Sequence, residues 1–172
     1  MRRSGVWLAV AGAVLISAGV AVARAASPPA GAWASDYTVT VRVTNTKAAP
    51  THWIYGTRPR CASPCHAVTF RFRLASEKTW RSGTSTYRWN GKAYALTKKF
   101  PTYADCRAKS GSTVKKGYDV TSSLKFEVRV VTNGRVTQWS GTGRDNYVPN
   151  AAGRAHHCPA GAYLYSLKAA AQ

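Results

Sequence analysis

The chain has 172 residues, with 25 Lys and Arg against six Asp and Glu, and a formal net charge of +19. That length suits one domain with a real core rather than several. The few acids, scattered singly at Asp36, Glu77, Asp105, Asp119, Glu127 and Asp145, leave little for paired-carboxylate hydrolysis.

The first stretch, MRRSGVWLAVAGAVLISAGVAVARAAS, has a positive start at Arg2 and Arg3 and an apolar run from Val6 to Ala23. Ala23-Arg24-Ala25 fits cleavage before Ala26, with Ala21-Val22-Ala23 as a second candidate. The pattern is that of a secretory signal peptide over residues 1–25, the alternative being an uncleaved N-terminal anchor. No cysteine follows the run, so no lipoprotein-type anchor is expected. Either way the rest of the chain is expected outside the cytoplasm, secreted once the signal is cleaved, with no transmembrane segment remaining. Loss of Arg2, Arg3 and Arg24 takes the charge from +19 to +16.

Ser27 to Ser35, SPPAGAWAS, is rich in Pro, Ala, Gly and Ser and predicts a flexible linker over residues 26–36. One β domain is expected over 37–172. In YTVTVRVT, Tyr37, Val39, Val41 and Val43 alternate with Thr38, Thr40, Arg42 and Thr44. In AVTFRFRLA, Val68, Phe70, Phe72 and Leu74 alternate with Thr69, Arg71 and Arg73. Both are strands with one wet face. TSTYRWNGKAYALTKKF predicts a hairpin turning at Asn90-Gly91, with Trp89 opposite Lys92 and Tyr87 opposite Tyr94. A weaker strand is expected near Val114–Val120. A second hairpin, SLKFEVRVVTNGRVTQWSG, turns at Asn133-Gly134 and places Val128 opposite Trp139. AYLYSLK is the last strand. The sum is about eight strands in an all-β, single antiparallel domain. It is either a meander barrel, lipocalin- or avidin-like in shape, or a two-sheet sandwich.

The cysteines are Cys61, Cys65, Cys106 and Cys158. An even count in an exported chain predicts disulfides, and four cysteines allow three connectivities. Cys61–Cys65 and Cys106–Cys158 are the favoured pairs. A redox motif would be one residue tighter than C-x-x-x-C. A metal site would need His66, or His156 and His157, beside cysteines already committed, so neither metal nor cofactor is expected. The second bridge would tether two long loops, PTYADCRAKSGS and GRDNYVPNAAGRAHHCPAG. With three strands between them, those loops would emerge at opposite ends of a strict meander, and one would have to run along the barrel wall.

The series W-x-Y-G-T-x4-C-x3-C from Trp53 to Cys65, F-R-F, W-N-G-x-x-Y from Trp89, Asp105-Cys106, Gly117-Tyr118, W-S-G-T from Trp139 and the late Cys158 resembles secreted, disulfide-stapled domains of actinobacteria with no assigned function. The likeness covers nearly the whole chain after the signal. Its elements are turns, cysteines and aromatic core positions. It implies a small β-barrel or sandwich, and it implies no catalytic or binding residues.

No nucleophile elbow or phosphate loop is present. The S-x-x-K matches at Ser112–Lys115 and Ser122–Lys125 lack companions. No catalytic set is expected. An enzyme would have to use His156 or His157 with an acid such as Asp145. The expected function is a binding or structural module for an anionic extracellular polymer, such as a cell-wall polymer at the envelope. Arg58, Arg60, Arg71 and Arg73 are the candidate anion-binding residues. The alternative is a barrel holding a small apolar ligand in a pocket lined by Tyr87, Trp89 and Trp139. A hydrolase or inhibitor ranks below both. Trp33, Trp53, Trp80, Tyr103 and Tyr147 fall outside clear alternation and are candidates for exposure.

Overall fold

The computed structural model describes residues 26–58 and 61–172. The expected signal segment and Arg60 lie outside the described residues. The elements are β1 (Ala32–Trp33), β2 (Asp36–Val43), β3 (Thr51–Thr57), β4 (Ala67–Leu74), β5 (Ser85–Trp89), β6 (Tyr94–Arg107), β7 (Thr113–Thr132), β8 (Arg135–Pro149), α1 (Ala151–Ala155) and β9 (Gly161–Ala171). From β2 to β9 each strand pairs antiparallel with the next, and β9 pairs again with β2. The result is a closed eight-stranded meander barrel rather than a sandwich, with β1 added parallel to β8. Closure leaves these strands without a free edge.

Two differences from the expected strands cancel in the count. THWIYGT is a strand, β3, although its apolar residues do not alternate cleanly: Ile54 and Tyr55 are adjacent. The weak strand near Val114–Val120 and the one beginning at Leu124 are a single strand of 20 residues, β7. Ser122 and Ser123 interrupt the apolar pattern but not the ladder, for Ser122 pairs with Asp145 and Ser123 with Arg144. A single β7 also brings the β6–β7 and β8–β9 connections to the same end. Cys106 and Cys158 therefore meet with no segment crossing the wall. Both expected disulfides are formed.

The Asn133-Gly134 turn behaves as expected. Its two residues have φ of 50° and 69°, as a type I′ turn requires, Thr132 pairs with Arg135, and Val128 lies opposite Trp139. The Asn90-Gly91 turn is longer than expected. Trp89 pairs with Tyr94, so residues 90–93 form the loop, and Asn90 Oδ1 accepts the amides of Lys92 and Ala93 at 3.1 and 2.9 Å. The register moves by two residues. An even shift leaves each side chain on its face, so Tyr87 and Tyr94 still point inward and are buried.

One end of the barrel is filled. Trp33 is 4% exposed and makes edge contacts with Tyr37, Phe70, Tyr94 and Phe126 at 5.3–5.9 Å between centroids. It is therefore not an exposed aromatic, and the segment expected as a linker is the barrel's plug. Burial of its polar partners is balanced by hydrogen bonds. The Tyr37 hydroxyl donates to the Val136 carbonyl at 2.7 Å and accepts from the Ala34 amide at 2.9 Å, and the Tyr94 hydroxyl donates to the Cys65 carbonyl. Cys61–Cys65 closes this end. The expected pocket around Tyr87, Trp89 and Trp139 does not exist: Trp139 is 1% exposed and packs on Phe70 and Phe126.

Candidate functional site

The other end is open. Strand alternation carries the inward face of β8 from Trp139 through Gly141 and Gly143 to Asp145 and Tyr147. On β9 the inward series includes Tyr163 and Tyr165, which pair with Asp145 and Gly143. Gly143 is required here because a Cβ would run into the Tyr165 ring. Val41 and Val43 of β2 and Thr51, Trp53 and Tyr55 of β3 complete a cup of about 340 Å³. Five of its lining residues are aromatic, and one is a carboxylate. Tyr147 and Tyr163 meet edge to face at 5.4 Å, and Tyr163 is 48% exposed, so the rim is reachable from solvent.

The cup has a defined protonation. Burial raises the Tyr55 phenol well above its ordinary value, and the negative charges around it add to the effect. Burial raises Tyr165 likewise, followed by the charge of Asp145 and by the hydrogen bond that Tyr165 donates to Asp145 Oδ1 at 3.2 Å. Tyr147 is raised by burial and then by Asp145. Tyr55, Tyr147 and Tyr165 stay neutral near pH 7, and Asp145 is the one carboxylate lining the cup. Among the described residues Asp145 has no ion pair; the three ion pairs are Arg81–Glu77, Lys115–Asp105 and Arg129–Glu127.

Beside the cup, Phe72 packs on Trp53 and Tyr55 at 6.3 and 6.0 Å and lines a second recess of about 480 Å³ with Arg81, Lys98, Phe100 and Tyr103. Arg81 lies 4.7 Å from the Trp53 ring centroid, held by Glu77 at 2.9 Å. A larger depression of about 550 Å³ lies across β6–β9 at Ala95, Thr97, Ser123, Thr142, Arg144 and Leu164. These residues have the opposite parity to the core positions and face outward. Leu96, Leu124, Gly143 and Tyr165, of the inward series, also line it, and no carboxylate does.

The expected anion-binding arginines are only partly gathered. Arg71 and Arg73 share the outer face of β4, as alternation predicts, and both lie over Trp80, at 3.9 and 5.4 Å from the ring centroid. Both are half-buried, and Arg73 donates to the Leu74 and Glu77 carbonyls. Trp80 is thus half-buried rather than a free stacking platform. Arg58 is exposed and donates to the Thr57 carbonyl at 2.6 Å. Cations also occupy the outward positions of the opposite wall, at Lys125, Arg144 and Lys168, so the charge surrounds the barrel.

His156 and His157 are exposed after α1, and among the described residues neither side chain has a hydrogen bond or ion pair. Asp145 faces into the cup instead. Among the described residues no group of three or more His, Cys, Asp or Glu is placed to hold a metal ion, and no helix is long and apolar enough to cross a membrane. Sequence reasoning flagged Trp53, Tyr147 and Asp145 separately and missed Tyr55, Tyr163 and Tyr165 as their companions. The available signal was parity: counting by twos along β8 from Trp139 reaches Asp145 and Tyr147. No protein-family model, curated protein or solved structure matches the chain.

Proposed function

We propose that this protein is a secreted binding barrel that takes a small ligand into the cup at its open end. The observation that carries the reading is the asymmetry of the barrel. One end carries the Trp33 plug, with a recess of about 300 Å³ beside it lined mainly by small residues, while the other leaves about 340 Å³ lined by Trp53, Tyr55, Tyr147, Tyr163 and Tyr165 around one carboxylate. Small-molecule sites have this character: concave, largely aromatic, with few polar groups to orient the ligand. The two disulfides and the signal pattern support work outside the cytoplasm, as does the likeness to secreted actinobacterial domains. Intact mass of the exported protein should begin at or near Ala26.

The test is a fragment screen followed by NMR on the secreted chain. Shifts confined to the cup residues, and abolished when Val43→Trp fills the cup, are the expected result. Binding that ignores Val43→Trp would sink the reading.

A second reading is favoured by the pairing of Arg71 and Arg73 on Trp80. In it the basic wall holds an anionic envelope polymer. Affinity would then fall steeply with salt, because each neutralised phosphate releases counterions. Arg71→Ala with Arg73→Ala would flatten that slope. The opposite wall's cations predict that part of the slope survives.

A further inference from the structure

We propose that the cup recognises an organic cation, a ligand with a quaternary or alkylated ammonium head. The proposal rests on the cup being a ligand site and names the chemistry of its occupant.

Three observations converge on it. First, the cup presents the side chains of Trp53, Tyr55, Tyr147, Tyr163 and Tyr165 to one small volume. Aromatic faces carry negative potential, and an ammonium group close to several of them is attracted by each. Second, Asp145 is directed into the same volume by its position on β8 and is oriented by the Tyr165 hydroxyl at 3.2 Å. Third, Asp145 is without an ion pair among the described residues, in a chain with 25 Lys and Arg to choose from. A half-buried carboxylate among aromatic rings is costly unless something positive or hydrogen-bonding meets it. The Tyr165 hydroxyl meets one oxygen, Oδ1; a neutral apolar ligand would add nothing for the other, and an anion would be repelled by it.

The charges around the cup fit this occupant. Arg81, the guanidinium over Trp53, is already matched by Glu77. Lys98 lines the neighbouring recess and sits 5.0 Å from the Phe100 ring centroid. Other cations, among them Lys47 between β2 and β3 and Lys78 between β4 and β5, stand exposed in connections at the open end, where physiological salt screens them beyond roughly 8 Å. The local field of Asp145 and the rings therefore decides what enters. An alkylated ammonium suits the cup better than a bare one, because its methyl groups meet the rings while its weaker hydration lowers the cost of leaving water.

The experiment compares choline with its neutral isostere 3,3-dimethylbutan-1-ol on the secreted chain, by NMR titration of the tyrosine and tryptophan signals. Choline is expected to bind in the cup at least about tenfold more tightly than the alcohol. Asp145→Asn is expected to reduce choline affinity by about tenfold, more than it changes that of the alcohol. If that variant does not fold, the two ligands on the unaltered chain decide the matter. Equal binding of the alcohol overturns the proposal and leaves the cup as a site for neutral ligands. The same holds if choline fails to bind while other fragments occupy the cup. If no fragment binds there at all, the proposal and the reading beneath it both fall.

Discussion

The two ends of the barrel are built from the same kinds of residue and end in opposite states. At the closed end, Trp33 on β1 enters between Tyr37, Tyr94, Phe70 and Phe126, and the phenols find backbone carbonyls. At the open end, Trp53, Tyr55, Tyr147, Tyr163 and Tyr165 line a space that no plug from the chain fills. Each end has its own disulfide: Cys61–Cys65 beneath the plug, and Cys106–Cys158 where β6, β7 and α1 extend past the mouth. Aromatic content therefore does not distinguish core from site. The difference is one inserted indole, which turns rings into packing at one end and leaves them as a lining at the other.

The sharpest way to break this comparison is to remove the plug. Trp33→Ala leaves a large void among rings and is expected to cost about 3–5 kcal/mol, read as a lowered midpoint in chemical denaturation. A loss below ~1 kcal/mol would mean that the closed end does not depend on its plug.

The disulfides come next. Replacing Cys106 and Cys158 by Ala should cost about 4 kcal/mol, since the bridge spans a sequence separation of 52. Replacing Cys61 and Cys65, with a separation of 4, should cost about 2 kcal/mol on the same loop-entropy reasoning. Reversal of that order by equilibrium unfolding would show that local packing beneath the plug outweighs loop closure at the mouth.

Alkaline pH probes both ends at once. Burial raises Tyr37 at the closed end and Tyr55 and Tyr165 at the open end, and it pushes Tyr87 up to about 12. The folded state holds these protons more tightly than the unfolded chain does. Their contribution is thus complete below the ordinary tyrosine value near 10 and is lost as pH rises above it. Stability should be flat with respect to these groups up to about pH 10 and then fall, by at most about 1.4 kcal/mol per pH unit for each phenol. Asp145→Asn removes a negative charge that raises Tyr165 and leaves only a neutral acceptor for its hydroxyl, so this group should then titrate lower and the decline should become shallower. Tyr37 should not respond. An equal response from Tyr37 would contradict the separation of the two ends.

The smallest expected effect is truncation at the rim. Tyr163 is 48% exposed, so Tyr163→Ala should cost under ~1 kcal/mol of stability while weakening any ligand in the cup. A loss comparable to that of Trp33→Ala would mean that the open end is core as well.

Much of this was legible in the chain because a strand's side chains alternate. Tyr37, Val39, Phe70 and Phe126 declare their inward faces by alternation alone, and Asn133-Gly134 fixes a two-residue turn through its positive φ angles. Local sequence thus determined the fold class, the second hairpin's register and the inward faces. It also favoured the cysteine pairs, two of which sit four residues apart. Alternation says which side is in, but not how far a strand runs or what fills the interior. β7 continues through Ser122 and Ser123 because both its neighbours supply ladder partners. Trp33, in a stretch with the composition of a linker, becomes the plug because β1 finds an edge on β8. Asp145 and the tyrosines become one cup only when β9 closes against β2 and β8. The seating of β1 on β8 and the closure of β9 on β2 depend on partners 99 or more residues away, as in the bond from the Tyr37 hydroxyl to Val136, and the run of β7 depends on both neighbouring strands; no local pattern encodes them. Closure of the barrel decided which aromatic residues are packed against one another and which are left facing solvent.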